Sequence, residues 1–217
     1  MEVKEAIEGR TSTRAFLPKT VEKETVEKIL RLAAASPSAL NLQPWEVVVL
    51  AGKEKKRLSN VILKAYREKS VPCGPSAQKR MPPEYYRRQK EAYKSMMPFI
   101  EEAGMEFDSF INEGSCKFYG APVAILLFLD DSHPDRRMIC HGSFLAHLTL
   151  AAHSLGLGTC PIGIINPYGN EIKDFLNLPE EKKLTLGIAL GYPDPASPVN
   201  KIRTGRDGLE NIVKWVY

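Results

Sequence analysis

Arg10, Ser12 and Arg14 stand at alternate positions near the start of the chain, in the stretch RTSTRAF. In an extended segment alternate side chains project from one face, so two guanidiniums would flank a hydroxyl there. Guanidiniums are fixed forks of N–H donors that bind phosphate oxygens bidentately, and the hydroxyl adds a neutral donor. The spacing therefore indicates a phosphate site, with a solvated arginine-rich turn as the alternative.

A second group of cations lies near the C-terminus, at Lys201, Arg203 and Arg206. Alone, such residues are typical of a charged tail. If the two ends of the chain converge, four arginines would surround one dianion, and clustered like charges cost stability unless an anion compensates them. The functional interpretation is therefore preferable only if the two groups combine.

The connector PSALNLQPW, residues 37–45, carries more polar groups than a turn requires. Turn chemistry accounts for Pro37 and Ser38, but it gives no reason for the carboxamides of Asn41 and Gln43 or for the tryptophan that follows. Farther along, GLGTCPIG contains glycines at the junction of a helix and a strand. Such backbone can approach a flat ligand closely and donate N–H groups, although a plain helix stop is the alternative.

The histidines and cysteines do not form a recognisable centre. His141, His147 and His153 are spaced by six on one predicted helix and so point in three directions, which favours surface or interface positions over a metal site. The four cysteines include no CxxC pair, and neither GxSxG nor HExxH occurs. From these patterns we assign neither a catalytic side chain nor a metal ligand.

Hydrophobic patterning places these segments in an alternation of helices and strands, which predicts an α/β protein of the mixed (α+β) kind. Helical spacing predicts helices at 2–9, 21–35, after residue 52, from about 85 to 104, and at 138–158. The helix at 138–158 is apolar nearly all round, which suits a core or a subunit interface. Short apolar runs predict strands at about 45–51, 121–130, 158–165 and 184–191.

Length and composition fit one globular domain over residues 1–217. The segment at about 70–115 begins rich in proline, glycine and serine and continues as an aromatic and basic helix, which favours a lid or excursion over a domain linker. YYRR within it could bind nucleic acid, cover an aromatic ligand or form a solvated helix face. A net charge of only +4 argues against nucleic acid, and no apolar run reaches the roughly 18 residues of a membrane span, so we expect a cytoplasmic protein.

The order RTSTRAF, AASPSALNLQPWEVVVL, GLGTCPIG, GYPDP and KIRTGRDGLENIV resembles the nitroreductase family of FMN-dependent flavoenzymes, from about residue 5 to about 214. YYRR and DPASPVNKIRTGR look closest to its nitrobenzoate-reductase branch. The resemblance implies a three-layer fold, with a mixed central sheet flanked by helices, in an intertwined homodimer with FMN at the interface. It also implies a ping-pong oxidoreductase that passes electrons from NADH or NADPH to nitroaromatic or quinone-type acceptors.

The resemblance assigns residues to FMN in three groups. The phosphate and ribityl chain would be bound by Arg10, Ser12 and Arg14, joined by Arg206 and Arg203 from the tail. The connector residues Ser38, Asn41 and Gln43 would contact the flavin, with Ser38 and Asn41 reaching the cofactor of the partner subunit. The turn under the flavin ring would be Pro161, Ile162 and Gly163. Some members carry Glu where Gly163 stands, so we assign no side-chain role there.

The same resemblance leaves related activities open. A flavin reductase and a reductive dehalogenase are the rivals within the family, and Glu84, Tyr85 and Lys90 offer the residue types of a deiodinase lid. A non-enzymatic flavin carrier could use the same phosphate cluster without turnover. Each alternative predicts a different response to NAD(P)H and to a panel of acceptors.

Overall fold

The computed structural model describes residues 1–69 and 81–217, which form an α+β fold. Its helices are α1 (Val3–Gly9), α2 (Lys23–Ala34), α3 (Gly52–Lys69), α4 (Pro83–Glu102), α5 (Gly114–Cys116), α6 (Met138–Ser154) and α7 (Gly169–Leu176). Its strands are β1 (Glu46–Ala51), β2 (Val123–Asp130), β3 (Gly158–Ile162) and β4 (Lys182–Gly191). The alternation predicted from the sequence is confirmed.

The four strands form one sheet in the order β1-β2-β4-β3, with antiparallel neighbours. The parallel pairing expected of a mixed sheet comes from one isolated bridge, between Ser12 and Thr159. The apolar run that predicted β1 favours a buried strand, but most of its residues are half-buried or exposed, and Val49 is 41% exposed. β1 is less buried because it lies at the edge of the sheet.

β2 divides the core into two layers. Its side chains alternate between faces, as in any strand, and both faces are buried. Ala124, Leu126 and Phe128 pack in a cluster that includes residues of α3 and α7. Val123, Ile125 and Leu127 pack in a second cluster with residues of α2 and α6. The sheet is thus flanked by helices on both sides, as the three-layer prediction requires.

α4 lies in the predicted lid segment and has its own apolar contacts. Met96 and Ile100 pack with Phe110, Val199 and Ile202 in a third cluster, which joins the end of α4 to the C-terminal part of the chain. The proline-rich start of the predicted lid, residues 70–80, lies outside the described residues. None of the helices in the described ranges is long and apolar enough to cross a membrane.

α6 differs from its prediction in two respects. It ends at Ser154 rather than at 158, because Gly156 adopts a φ of 76° and Gly158 already begins β3. His141 was predicted to lie at the surface or at an interface, but it is only 4% exposed. Its ring nitrogens lie near the Thr185 hydroxyl and the Pro44 carbonyl, and these polar partners allow a histidine to be buried.

Candidate functional site

The two ends of the chain converge on one cavity of about 410 Å³. The segment after α1 contributes Arg10, Ser12 and Arg14, and the C-terminal segment contributes Arg203 and Arg206. We call this the arginine cavity. Arg10, Ser12 and Arg14 all line it, and so does Thr11 between them. Both groups of predicted phosphate ligands therefore border the same space.

Backbone pairing with β3 positions the N-terminal half of the arginine cavity. Ser12 forms the parallel bridge with Thr159, and the Thr13 N–H donates to the Thr159 carbonyl at 2.9 Å. The two segments approach so closely that a Cβ on Gly158 would clash with the Thr13 side chain. Only glycine fits at this position without displacing Thr13.

Asn200 holds the C-terminal half against the N-terminal half. Its Oδ1 accepts hydrogen bonds from the N–H groups of Arg14, at 2.9 Å, and Ala15, at 3.2 Å. Its Nδ2 donates to the carbonyls of Ala15, at 2.8 Å, and Asp194, at 2.9 Å. A single carboxamide thus joins segments that are more than 180 positions apart in the chain.

The arginines of this cavity have no carboxylate partner among the described residues. Arg14 donates to the Ser12 carbonyl, at the long distance of 3.5 Å. Arg203 donates to the carbonyls of Asn200 and Ile202, and Arg206 donates to the backbone of its own loop and to the Thr204 hydroxyl. Four positive charges therefore share a small space and leave N–H donors for an anion.

The connector that carries Ser38, Asn41 and Gln43 has a strained backbone. Leu40, Asn41 and Gln43 have φ values of 56°, 53° and 48°, in the left-handed region that costs non-glycine residues free energy. The Ser38 Oγ accepts from the Gln43 N–H at 3.0 Å, and the Gln43 Nε2 donates to the Asn41 carbonyl at 3.1 Å. Strain of this kind concentrates at functional sites.

The connector and the arginine cavity are separate in this chain. Asn41 and Gln43 are exposed, Ser38 is half-buried, and the residues that line the arginine cavity include none of the three. At the end of the connector, the Pro44 carbonyl accepts a hydrogen bond from His141 Nε2 at 3.2 Å, so the connector is tied to α6. The side-chain amides of Asn41 and Gln43 are therefore exposed to solvent, while the end of the connector is held in place by α6.

The predicted turn, Pro161 to Gly163, lies at the end of β3. Pro161 lies on β3, an edge strand of the sheet, and pairs with Ile188 of β4. An edge strand tolerates the missing N–H of proline. Ile162 is buried, whereas Gly163 is exposed, and a Cβ there would meet only the Leu186 side chain, at 4.0 Å. The backbone at Gly163 is therefore open to a flat ligand. Because β3 also carries the Ser12–Thr159 bridge, one strand connects this turn to the arginine cavity.

A family comparison decides what kind of protein carries this arrangement. The model of the nitroreductase family matches residues 7–192. The chain belongs to the nitroreductase family. Its match covers the RTSTRAF segment, the connector and the turn after β3, so three of the segments on which the sequence resemblance rests lie inside it.

Two curated relatives match over nearly their whole length. A chloronitrobenzene nitroreductase of Comamonas testosteroni is 30% identical over 99% of this chain and 97% of its own. A 4-nitrobenzoate reductase of Pseudomonas putida is 31% identical over 97% of this chain and 93% of its own. Both agree with the predicted nearness to the nitrobenzoate-reductase branch.

A solved structure shares the whole fold. The FMN-dependent nitroreductase NfnB from Mycobacterium smegmatis, crystallised in complex with NADPH, superposes with a TM-score of 0.89 at 29% identity. The superposition covers 99% of this chain and 97% of that chain. The prediction of a nitroreductase fold is thereby confirmed.

The residues of this chain fit FMN by their chemistry. A phosphate monoester carries close to two negative charges near pH 7. Glu8 also lines the arginine cavity, but its ion pair is with Lys4, so the guanidiniums pair with no carboxylate among the described residues. The open backbone at Gly163 and the exposed carboxamides of the connector suit a flat, polar heterocycle. Within residues 1–69 and 81–217, no cluster of histidine, cysteine and carboxylate side chains could hold a metal ion.

Sequence reasoning missed three residues that shape this region: Asn200, His141 and Asp207. Asn200 binds a segment more than 180 positions away, and Asp207 accepts hydrogen bonds from Arg87 and Arg88 on α4, so no local pattern indicates either residue. His141 sits on an apolar helix, and the apolar pattern around it was the available signal that this histidine is buried.

Proposed function

We propose that this protein is an FMN-dependent oxidoreductase that transfers electrons from NAD(P)H to nitroaromatic or quinone-type acceptors by a ping-pong mechanism. The observation that carries the proposal is the convergence of Arg10, Ser12, Arg14, Arg203 and Arg206 on one cavity without carboxylate partners. Family membership supports it, because curated relatives of similar length are nitroaromatic reductases by name. Bound FMN would supply the redox chemistry, accepting hydride and passing electrons on.

In this proposal the side chains bind and orient, and no catalytic acid or base is assigned. The arginine cavity binds the phosphate, and Ser12 adds a hydroxyl between Arg10 and Arg14. The turn at Gly163 allows the flavin ring to approach the backbone, where an N–H can donate to it. Binding energy at the phosphate, remote from the reacting ring, would thereby fix the position of the ring.

A homodimer completes the proposed site. Ser38 and Asn41 lie on the exposed connector and do not border the arginine cavity of their own chain. We propose that Ser38 and Asn41 contact the cofactor held by the partner subunit, while α6 packs against its counterpart. The exposed apolar side chains of Ile139 on α6 and Leu40 on the connector support this arrangement, because such groups favour burial. We place the protein in the cytoplasm, where NAD(P)H is available.

A visible absorption spectrum tests the proposal. Purified protein is supplemented with FMN, desalted, and measured before and after anaerobic addition of NADH or NADPH. A retained flavin band that bleaches supports the redox enzyme, and the better reductant identifies the preferred nicotinamide. A band that persists after both reductants favours a flavin carrier, and loss of flavin on desalting contradicts the assignment of the arginine cavity.

A panel of acceptors then separates the activities within the family. Nitrobenzoate, menadione, free flavin and iodotyrosine would distinguish a nitroreductase, a quinone reductase, a flavin reductase and a reductive dehalogenase. An iodotyrosine deiodinase of Thermotoga neapolitana is 25% identical over 87% of this chain. We expect nitrobenzoate and menadione to be reduced fastest. Faster turnover of iodotyrosine than of both would replace the proposed acceptor class.

A further inference from the structure

One carboxylate joins the proposed phosphate site to α4. Asp207 directly follows Arg206, but it does not line the arginine cavity. Its two carboxylate oxygens accept hydrogen bonds from Arg87 Nη2, at 2.9 and 2.8 Å, and Oδ2 accepts from Arg88 Nε at 2.7 Å. The Asp207 side chain is only 11% exposed. Two guanidiniums of α4 therefore enclose it.

This contact is stronger than an ordinary surface ion pair. Both arginines hold the same carboxylate, and charge-assisted hydrogen bonds of this kind fix geometry as well as contribute free energy. Hydrogen bonds from Arg87, and then from Arg88, hold the pKa of the Asp207 carboxyl below its usual value. Arg88 also lies over the ring of Tyr85, 5.3 Å from its centroid, so the Asp207 contact extends to an aromatic side chain in the first turn of α4.

The two halves of α4 are attached by different forces. Its C-terminal half is anchored by Met96 and Ile100 in the third apolar cluster. Its N-terminal half meets the C-terminal segment across a cavity of about 310 Å³, where charged side chains such as Glu91 and Asp207 stand beside the apolar Ala92 and Ile212. The described contact that spans this cavity is the one between Asp207 and the two arginines. Among the described residues, the hydrogen bonds that join the N-terminal half of α4 to the C-terminal segment are therefore those that Asp207 accepts.

We propose that Asp207 is a positioning residue that couples α4 to the loop carrying Arg203 and Arg206. This inference rests on the proposed function, in which that loop binds the FMN phosphate. Through Asp207, α4 keeps Arg206 oriented for the phosphate, and bound FMN in turn holds the N-terminal half of α4 in place. Asp207 itself touches neither the phosphate nor the reacting ring.

The direction in which one substitution changes FMN affinity distinguishes a positioning role from an effect of charge alone. Asp207→Asn keeps the size of the side chain but removes a negative charge next to a phosphate site. If Asp207 acted only through its charge, removing it would strengthen FMN binding, because like charges repel. If it acts by positioning, FMN binding should weaken about tenfold, a moderate coupling between two sites. Asp207→Glu should restore most of the loss.

Glu91→Gln is the matched control. Glu91 accepts from Arg87 at 3.1 Å and lines the same cavity, so this variant removes the same charge without breaking the connection to Asp207. Arg88→Gln breaks the connection from the side of α4 and covers the case in which Asp207→Asn fails to fold. We expect weaker FMN binding for Asp207→Asn and Arg88→Gln, and wild-type binding for Glu91→Gln, in flavin fluorescence titrations.

Hydrogen exchange on the flavin-free protein tests the connection independently of the cofactor. Backbone amides of residues 84–90 should exchange faster in Asp207→Asn than in the wild type, with Glu91→Gln unchanged. Wild-type protein that fails to bind FMN would contradict the proposed function, while the exchange data would still test the connection. Unchanged exchange in Asp207→Asn, or unchanged or tighter FMN binding by the variant, would overturn the positioning role.

Discussion

Clustered arginines without acidic partners cost the folded protein free energy. Arg87 and Arg88 share the carboxylate of Asp207, whereas Arg10 and Arg206 have no such partner among the described residues. Mutual repulsion within the arginine cavity is relieved when a dianion enters. A ligand that carries a phosphate should therefore stabilise the fold as well as bind to it.

Replacing Arg10 or Arg206 by Ala should weaken FMN binding by about 10- to 100-fold, because each variant removes charge-assisted hydrogen bonds to the phosphate. Flavin fluorescence titration measures the loss. Arg57→Ala is the control, since Arg57 is exposed on α3 and pairs with Glu54. Full FMN occupancy in both variants after desalting would refute the assignment of the arginine cavity.

Lys55 is a buried amine whose charge is costly. It is 7% exposed and donates to the Lys117 carbonyl at 2.8 Å, without a carboxylate partner among the described residues. Burial, and then the nearby charge of Lys56, lower its pKa from 10.5 to about 8. Between these two values the unfolded chain binds more protons than the folded chain, so the stability of the fold should rise as pH increases through this window.

Lys55→Met should remove that pH dependence. We expect the free energy of unfolding of the wild type to rise by up to about 3 kcal/mol, relative to Lys55→Met, from below pH 8 to above pH 10.5. Urea denaturation at several pH values in this window measures the difference. Lys53→Met, at an exposed position of the same helix, should follow the wild type. Parallel curves for wild type and Lys55→Met would show that Lys55 titrates normally.

Local patterns predicted the residues that act through their own segment. The alternate spacing of Arg10, Ser12 and Arg14 predicted a shared face, because side-chain direction in an extended chain has a period of two. All three line one cavity, and Thr11 between them lines it as well. The joining role of Asn200 depends on a partner segment more than 180 positions away. A carboxamide in a tail has no local feature that reveals such a contact.

At the scale of elements, α6 supports the connector through a buried histidine. His141 Nε2 lies 3.2 Å from the Pro44 carbonyl, which can only accept, so this nitrogen carries the proton. Burial lowers the pKa of His141, which leaves the ring neutral near pH 7. Gln43 directly precedes Pro44, and Asn41 stands three positions before it, so the histidine fixes one end of the strained segment.

His141→Ala should lower the free energy of unfolding by about 2 kcal/mol at pH 7.5, because it leaves a cavity and an unpaired carbonyl. The difference should shrink as pH falls below about 6.5, since the unfolded wild-type histidine takes up a proton before the folded one does. Urea denaturation at pH 7.5 and 5.5 measures both effects. The exposed His147→Ala should change stability little, and an equal loss there would contradict a specific role for His141.

Element types were predictable because apolar periodicity is local. β2 is a nearly continuous apolar run, and it is one of the two inner strands of the sheet. Helix ends and edge exposure depend on packing, and there the predictions were less accurate. α6 ends at Ser154 because Gly156 reverses the chain, and the partial exposure of β1 follows from its place in the strand order.

At the scale of the molecule, one chain leaves large apolar side chains uncovered. Ile139 on α6 is 78% exposed, Leu40 on the connector is 87% exposed, and Trp215 in the tail is 67% exposed. Burial of such groups against a second copy would contribute about 25 cal/mol for each Å² of apolar area. The proposed homodimer accounts for this surface and for the exposed connector together.

Ile139→Arg should convert the proposed dimer to a monomer, because it places a charge where an apolar contact is expected. Light scattering coupled to size exclusion measures the mass, and FMN affinity should fall in parallel if the partner subunit completes the site. Lys56→Asp, on the exposed side of α3, is the control for a changed surface charge. A monomeric wild-type protein, or an Ile139→Arg dimer with normal FMN affinity, would contradict this arrangement.

The bridge between Ser12 and Thr159 has a consequence for which ligands the site can accept. Thr159 lies two positions before Pro161 on β3, and Ser12 borders the arginine cavity, so this backbone pairing sets the distance between the two ends of the proposed site. Because this distance is fixed by backbone hydrogen bonding, the proposed site would favour ligands long enough to contact both ends. FMN would reach both ends, whereas riboflavin, which lacks the phosphate, would reach only the turn at Gly163. The register in which Ser12 pairs with Thr159 would then determine how well the site distinguishes FMN from riboflavin.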